Sequence, residues 1–189
     1  MSGPGLVELP PATATLPIGT AAPMVADLLA VDGRRTGFGD YADRAVIVLV
    51  FTSVRCPTAK AYAERLNAFQ AAYGSRGVQL IAINSNDPHL YPDEDLAAMV
   101  ARAAEDDYTF PYLVDDGQRV ARAYGPTCTF HAFVLDRARR LRYQGRFDDA
   151  RLPERVTSHD LANAVDDLLA GREVRLTTTR PFGCSLDIV

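Results

Sequence analysis

The residues best equipped for chemistry close a single apolar run. In Ile47-Val-Leu-Val-Phe-Thr-Ser-Val-Arg-Cys-Pro-Thr-Ala-Lys60, Cys56 falls where a long amphipathic helix is expected to begin. The free N–H groups of a helix start and the positive end of its dipole favour thiolate over thiol, and the adjoining Arg55 adds a cation. A thiol so placed has its pKa drawn from about 8.5 into a range of roughly 3.5 to 7.5, and it becomes a nucleophile. The opposing reading makes Cys56 a small buried hydrophobe and nothing more.

Composition limits what can surround this thiol. The chain has 189 residues, of which 48% are hydrophobic, enough for one sizeable core without a second domain. With 20 basic against 24 acidic residues, a net charge of −4 and no long basic block, neither nucleic acid nor an anionic membrane is expected as a partner. No apolar run approaches the roughly 18 to 20 residues of a membrane span, and the N-terminus lacks a charged-then-apolar leader pattern, so a cytoplasmic location is expected. Three cysteines cannot all pair internally, and a reducing compartment keeps them as thiols unless the chemistry oxidises them.

The elements that must position Cys56 follow from periodicity and turn residues. Residues 1–18, rich in Pro, Ala, Gly and Thr, read as an extended arm. Val25 to Val31, the Asp32-Gly33 turn and Arg34 to Thr36 read as a β-hairpin. Ala45 to Phe51 is apolar throughout, as a strand covered on both faces should be. Tyr62, Leu66, Phe69 and Tyr73 form one helical stripe that stops at Gly74. Val78 to Ile83 is a second buried strand, ending in the polar stretch Asn84 to Asp87 at the sheet edge. A helix near Pro92 carries Leu96, Met99, Val100 and Ala103 on one face. A short strand at Tyr112 to Val114, a short helix at Gln118 to Tyr124, and an antiparallel pair at His131 to Leu135 and Leu141 to Tyr143 come next. Thr157 and Asp160 read as a capping box before a last helix with Leu161, Val165, Leu168 and Leu169. The pattern predicts an α/β domain over residues 19–172 with a mixed central sheet flanked by helices, followed by a tail over 173–189.

With a helix-starting cysteine after the first core strand, a late β-hairpin and a final helix, the order of elements resembles a thioredoxin-like fold with an N-terminal β-hairpin extension. The segments IAINSND, YPDEDL, FPYLVDDGQRVARAYG, YQGRFDD and FGCSLDI resemble the peroxiredoxin-like branch of the alkyl hydroperoxide reductase and thiol-specific antioxidant (AhpC/TSA) redoxins. The resemblance runs from about Gly19 to the C-terminus. It implies a thiol-dependent oxidoreductase, most simply a peroxidase in which Cys56 attacks a peroxide. A small-molecule substrate and an external thiol reductant are then the expected partners, no cofactor is required, and a homodimer is compatible with the pattern.

Three positions depart from these relatives. Where a Cys-x-x-Cys pair is usual, the chain has Ser53-Val54-Arg55-Cys56, so dithiol exchange confined to this motif is impossible. In the Pro-x-x-x-Thr/Ser-x-x-Cys pattern of peroxiredoxins, Ser53 and Cys56 match while Leu49 stands in the proline position. The resemblance thus makes Ser53 the thiolate partner, with Thr52 and Arg55 as supports. Phe130 replaces the cis-proline of thioredoxins or the arginine of peroxiredoxins, and with Thr129 and Arg146 it is expected at the substrate pocket; the alternatives are that Phe130 only fills the core and that Arg146 pairs with Asp148 or Asp149 at the surface. In this fold Cys128 lies opposite the helix start and is the preferred resolving thiol, with Cys184 on the tail as the other.

A second class of function stays open on the same residues. Cys56, Cys128 and His131 together suit copper or zinc, although their spacing matches no standard metal motif. A repurposed domain acting on a small metabolite would use this same set.

Overall fold

In a computed structural model of the chain, residues 15–188 are described. The hairpin β1 (Leu28–Leu29) and β2 (Arg35–Thr36) precedes β3 (Val46–Thr52), α1 (Pro57–Tyr73), β4 (Val78–Asn84), α2 (Leu96–Glu105), β5 (Tyr112–Val114), α3 (Arg119–Tyr124), β6 (Ala132–Leu135), β7 (Leu141–Gly145) and α4 (Asp160–Leu169). The five-stranded sheet runs in the order β5-β4-β3-β6-β7. Strands β3, β4 and β5 are parallel to one another, whereas β6 runs antiparallel to β3 and β7 antiparallel to β6. This mixed α/β sheet is the predicted thioredoxin-like architecture.

Strand β3 explains why the run before Cys56 is wholly apolar. It is the central strand, and all seven of its residues are buried. Because side chains alternate along a strand, Val46, Val48 and Val50 join one core with Tyr62, Leu66 and Val165, while Ile47, Leu49 and Phe51 join another with Leu28, Phe38 and Tyr124. Cys56 belongs to the first of these cores. Among the described residues no helix is long and apolar enough to cross a membrane.

Two local expectations need correction. The hairpin forms at the Asp32-Gly33 turn, where Gly33 has φ +83°, but its strands hold two residues each. Asp27, at φ +55°, interrupts the extended chain that the sequence predicts from Val25, and Ala30 bridges across to Leu113 of β5. The capping box at α4 is absent. Thr157 bonds Asp149, and Asp160 instead accepts from Ser158 Oγ and Arg146 Nε.

The tail is part of the structure that covers the site. Thr177 and Thr179 exchange backbone bonds with Gln144 of β7, at 2.9 and 3.1 Å. Gly145, at φ +147°, permits this approach, since a Cβ there would lie 2.1 Å from Thr179 Oγ1. Farther on, Phe182 and Cys184 pack on the first core, while Leu186 and Ile188 pack on the second. Residues 177–188 thus form a strap. Most of the predicted N-terminal arm lies outside the described residues, but Thr15 and Leu16 bond the carbonyls of Gly125 and Tyr124.

Candidate functional site

Cys56 caps the N-terminus of α1 with an extended backbone, φ −71° and ψ 117°, and Pro57 follows as the first helical residue. Proline suits that place because its missing N–H has no intrahelical partner to lose. The Cys56 side chain is only 3% exposed. Its sulfur lies 3.1 Å from Thr129 Oγ1 and 2.7 Å from the sulfur of Cys184, with both cysteines in the free thiol form.

Thr129 organises the contact. Its N–H donates to the Cys184 carbonyl at 2.9 Å, and its hydroxyl oxygen accepts the Cys184 N–H at 2.7 Å. The hydroxyl proton is therefore left to be donated to Cys56. Phe130, at φ +61°, turns the chain after Thr129 and sends its own N–H to the Phe51 carbonyl at 2.6 Å. A left-handed phenylalanine costs of order 1 kcal/mol or more, which the surrounding packing must offset.

A carboxylate braces the other side. Glu94 is 3% exposed and accepts four bonds: from Ser53 Oγ at 2.6 Å, Val54 N–H at 2.8 Å, Arg55 N–H at 3.0 Å and Asn84 Nδ2 at 2.8 Å. It ties the loop before α1 to the end of β4 and fixes the approach of the chain to Cys56. Asn84 and Ser85 are accordingly buried rather than part of an open loop at the sheet edge. Sequence reasoning missed Glu94, because Asp93-Glu94-Asp95 reads as a solvated helix start. Only Asp95 has that simple role, accepting the Ala98 N–H as the cap of α2.

The electrostatics separate the two sulfurs. Burial pushes the Cys56 thiol up, but bonds from the Cys184 thiol and the Thr129 hydroxyl and, more weakly, from the Ala59 N–H of the first helical turn outweigh it, leaving its pKa below the ordinary value. Burial, together with the bond to Cys56 and its negative charge, pushes Cys184 up to about 11. Of the two sulfurs Cys56 is thus the one that ionises first, and the Cys184 thiol can then donate to it. In the reduced protein, carbamidomethylation of Cys56 by iodoacetamide should show its inflection at lower pH than an ordinary thiol, while Cys184 should label appreciably only in alkaline buffer. Site assignment by mass spectrometry checks this, and first labelling of Cys184 near neutral pH would contradict it.

The other predicted site residues fall in different places. The Ser53 hydroxyl serves Glu94 rather than Cys56, so the contact expected of it as thiolate partner is made by Thr129. Thr52 is buried and its hydroxyl finds no partner among the described residues. The Arg55 guanidinium pairs with Asp93 at 3.2 Å and lies 5.0 Å over the Tyr91 ring, leaving hydrogen bonds as the causes of the Cys56 shift. Phe130 is buried with its ring 4.6 Å from that of Tyr62, which is the core-filling alternative. Arg146 pairs with Asp160, not with Asp148 or Asp149. Cys128 is half-buried and makes no bond to Cys56; the adjoining thiol is Cys184.

His131 cannot complete a metal site with Cys56. Alternation along the chain into β6 puts it with Phe133, on whose ring it stacks at 4.4 Å, and Phe133 belongs to the opposite core. Its Nδ1 accepts the Thr127 N–H, and burial lowers its pKa to about 4. Among the described residues no group of three or more His, Cys, Asp or Glu side chains is placed to hold a metal ion.

A cavity of about 280 Å³ opens onto the sulfur pair, lined by Ser53, Arg55, Cys56, Tyr91, Glu94 and Cys184. Asp187 closes its rim through a bond from the Tyr91 hydroxyl, and Gln118 Nε2 holds the Asp187 carbonyl at 2.6 Å. The strap is closely fitted, since a Cβ on Gly183 would lie 2.0 Å from the Thr129 carbonyl oxygen. Gly183→Ala should therefore displace Cys184, speed its labelling by a maleimide about tenfold and move the Cys56 pKa toward its ordinary value, while secondary structure is retained. Unchanged labelling would show that the strap is not held at this point.

Known proteins share this fold. The Redoxin family model matches residues 17–164. A hypothetical protein of Sinorhizobium meliloti 1021 is 37% identical over 94% of this chain and 97% of its own, with a TM-score of 0.86. An uncharacterised conserved protein of Geobacillus kaustophilus is 36% identical over 89% of this chain and 90% of its own, with a TM-score of 0.82. Peroxidoxin BcpB of Mycobacterium tuberculosis shares the fold at 17% identity, covering 81% of this chain and 94% of its own with a TM-score of 0.56. The search of curated proteins found no match. With most of its length matched and a thiol placed at the start of α1, the chain belongs to the Redoxin family and is a thiol-dependent redox protein on the thioredoxin fold.

Proposed function

We propose that the protein reduces a small peroxide through Cys56 and resolves the product with Cys184. The observation that carries the reading is the 2.7 Å approach of the two sulfurs, one with a lowered and one with a raised pKa. In the reaction, the Cys56 thiolate attacks one peroxide oxygen and the O–O bond breaks, releasing an alcohol or water once the leaving oxygen takes a proton. Cys56 becomes a sulfenic acid. The Cys184 sulfur then attacks Cys56, the hydroxyl leaves as water with the Cys184 proton, and a Cys56–Cys184 disulfide forms. Two thiols regenerate the pair. This cycle fits a reducing compartment, as in the cytoplasm.

The strap favours a small oxidant over a protein disulfide. It lies across the sulfur pair and leaves a cavity of about 280 Å³ as the approach to Cys56. Turnover should be slow for this chemistry, because Phe130 stands where the peroxiredoxin pattern has its activating arginine, and Arg146 lines a different cavity from the one that reaches Cys56. Each charge-assisted donor missing from a developing oxyanion costs on the order of 3 kcal/mol, or about a hundredfold in rate. The test is hydrogen peroxide consumption by the reduced protein under single-turnover conditions. Loss of one peroxide per chain with concurrent loss of two thiols supports the reading, and no consumption beyond the protein-free rate would refute it.

A further inference from the structure

Two cavities flank the strap, and they differ in charge. The one that reaches Cys56 and Cys184 carries the carboxylates of Glu94 and Asp187 against one cation, Arg55, itself paired with Asp93. The other, about 670 Å³, is lined by Cys128, Arg146, Arg180, Phe182 and Gly183. Arg180 is exposed and makes no ion pair among the described residues. Arg146 commits its Nε to Asp160, which leaves the rest of its guanidinium fork for an anion. No carboxylate lines this second cavity.

Cys128 connects the two sides. It precedes Thr129, whose N–H and hydroxyl hold the backbone of Cys184, so the Cys128 thiol starts one residue from the strap's anchor. We propose that the basic cavity is the reductant's port: a thiol carrying two carboxylates docks on Arg146 and Arg180, and Cys128 relays its electrons to Cys184. The proposal rests on the Cys56–Cys184 pair proposed above, and it names the reductant of that same centre.

The steps balance. In the oxidised protein the Cys128 thiolate attacks Cys184, forming a Cys128–Cys184 bond and expelling Cys56 as thiolate. The departing Cys56 thiolate still meets the Thr129 hydroxyl and the Ala59 N–H of the first turn of α1, which favour it as leaving group. The docked thiolate next attacks Cys128, Cys184 leaves and takes up a proton, and a mixed disulfide remains. A second thiol molecule removes the first as a symmetrical disulfide and restores Cys128. Overall, two external thiols are oxidised and one protein disulfide is reduced. Burial first, and then the nearby Cys56 charge, raise the Cys128 pKa in the reduced protein. The second contribution disappears when Cys56 enters its disulfide, so Cys128 becomes more reactive when it is needed.

The test oxidises the protein with diamide, so it does not depend on peroxide chemistry, and follows reduction by mercaptosuccinate or by neutral 2-mercaptoethanol at equal thiolate concentration. Mercaptosuccinate should be faster by about fivefold or more, as expected for partly exposed charge pairs. Arg180→Ala should remove that preference and Arg180→Lys should keep part of it. Cys128→Ser should slow reduction at least tenfold, and in Cys56→Ser mild oxidation should trap a Cys128–Cys184 disulfide. Equal rates for the two thiols, a preference that survives Arg180→Ala, or a Cys128→Ser rate equal to wild type would overturn the proposal while leaving the Cys56–Cys184 pair intact. Failure of diamide to join Cys56 and Cys184 would overturn both.

Discussion

Cys56→Ser should reduce peroxide consumption to the protein-free rate, a loss of at least about a thousandfold, because removing the nucleophile of a catalytic group removes the step itself. Cys184→Ser should behave differently. Its hydroxyl can still donate to Cys56, so one equivalent of peroxide is consumed and Cys56 accumulates as sulfenic acid, passing to sulfinic acid with excess oxidant. The contrast separates an attacking from a resolving thiol. Stopped-flow peroxide loss with mass analysis of the product checks both variants, and full multiple turnover by Cys184→Ser with a thiol reductant would contradict the resolving role.

Glu94→Ala should be the most damaging change away from the sulfurs. It strands four donors: the Ser53 hydroxyl, the Val54 and Arg55 N–H groups and the Asn84 amide. Buried donors without partners cost about 1–3 kcal/mol each when water does not reach them. The adjoining cavity admits water to some, so a net loss of about 3 kcal/mol is expected, lowering Tm by roughly 10 °C for a domain of this size. Glu94→Gln should lose about half as much, since one oxygen still accepts two bonds. Thermal unfolding of the two variants measures the difference, and a Tm within about 2 °C of wild type for Glu94→Ala would show that the brace is not structural.

Most of the scaffold was legible because strong patterns dominate it. The apolar run of β3, the stripe ending at Tyr73 and the short helix ending at Tyr124 all sit where periodicity and turn residues put them. The position of Cys56 was legible for the same reason, as a strand-to-helix junction needs only local signals. Its partners were not, because they come from far along the chain: Glu94 from a segment that reads as solvated, Thr129 from a turn made by a left-handed phenylalanine, and Cys184 from a tail with no periodicity. Cys128 looked the better resolving thiol from its loop, yet backbone bonds from Thr129 bring Cys184 to the sulfur instead. The proposed metal trio failed on a simpler point, the alternation that turns His131 to the other face of the sheet.

The most direct test of the account is to treat the reduced protein with one equivalent of hydrogen peroxide, quench with acid, block free thiols and map disulfides by non-reducing digestion. The account predicts a Cys56–Cys184 disulfide with Cys128 alkylated. A Cys56–Cys128 bridge, or oxidised Cys56 with both other thiols free, would contradict it.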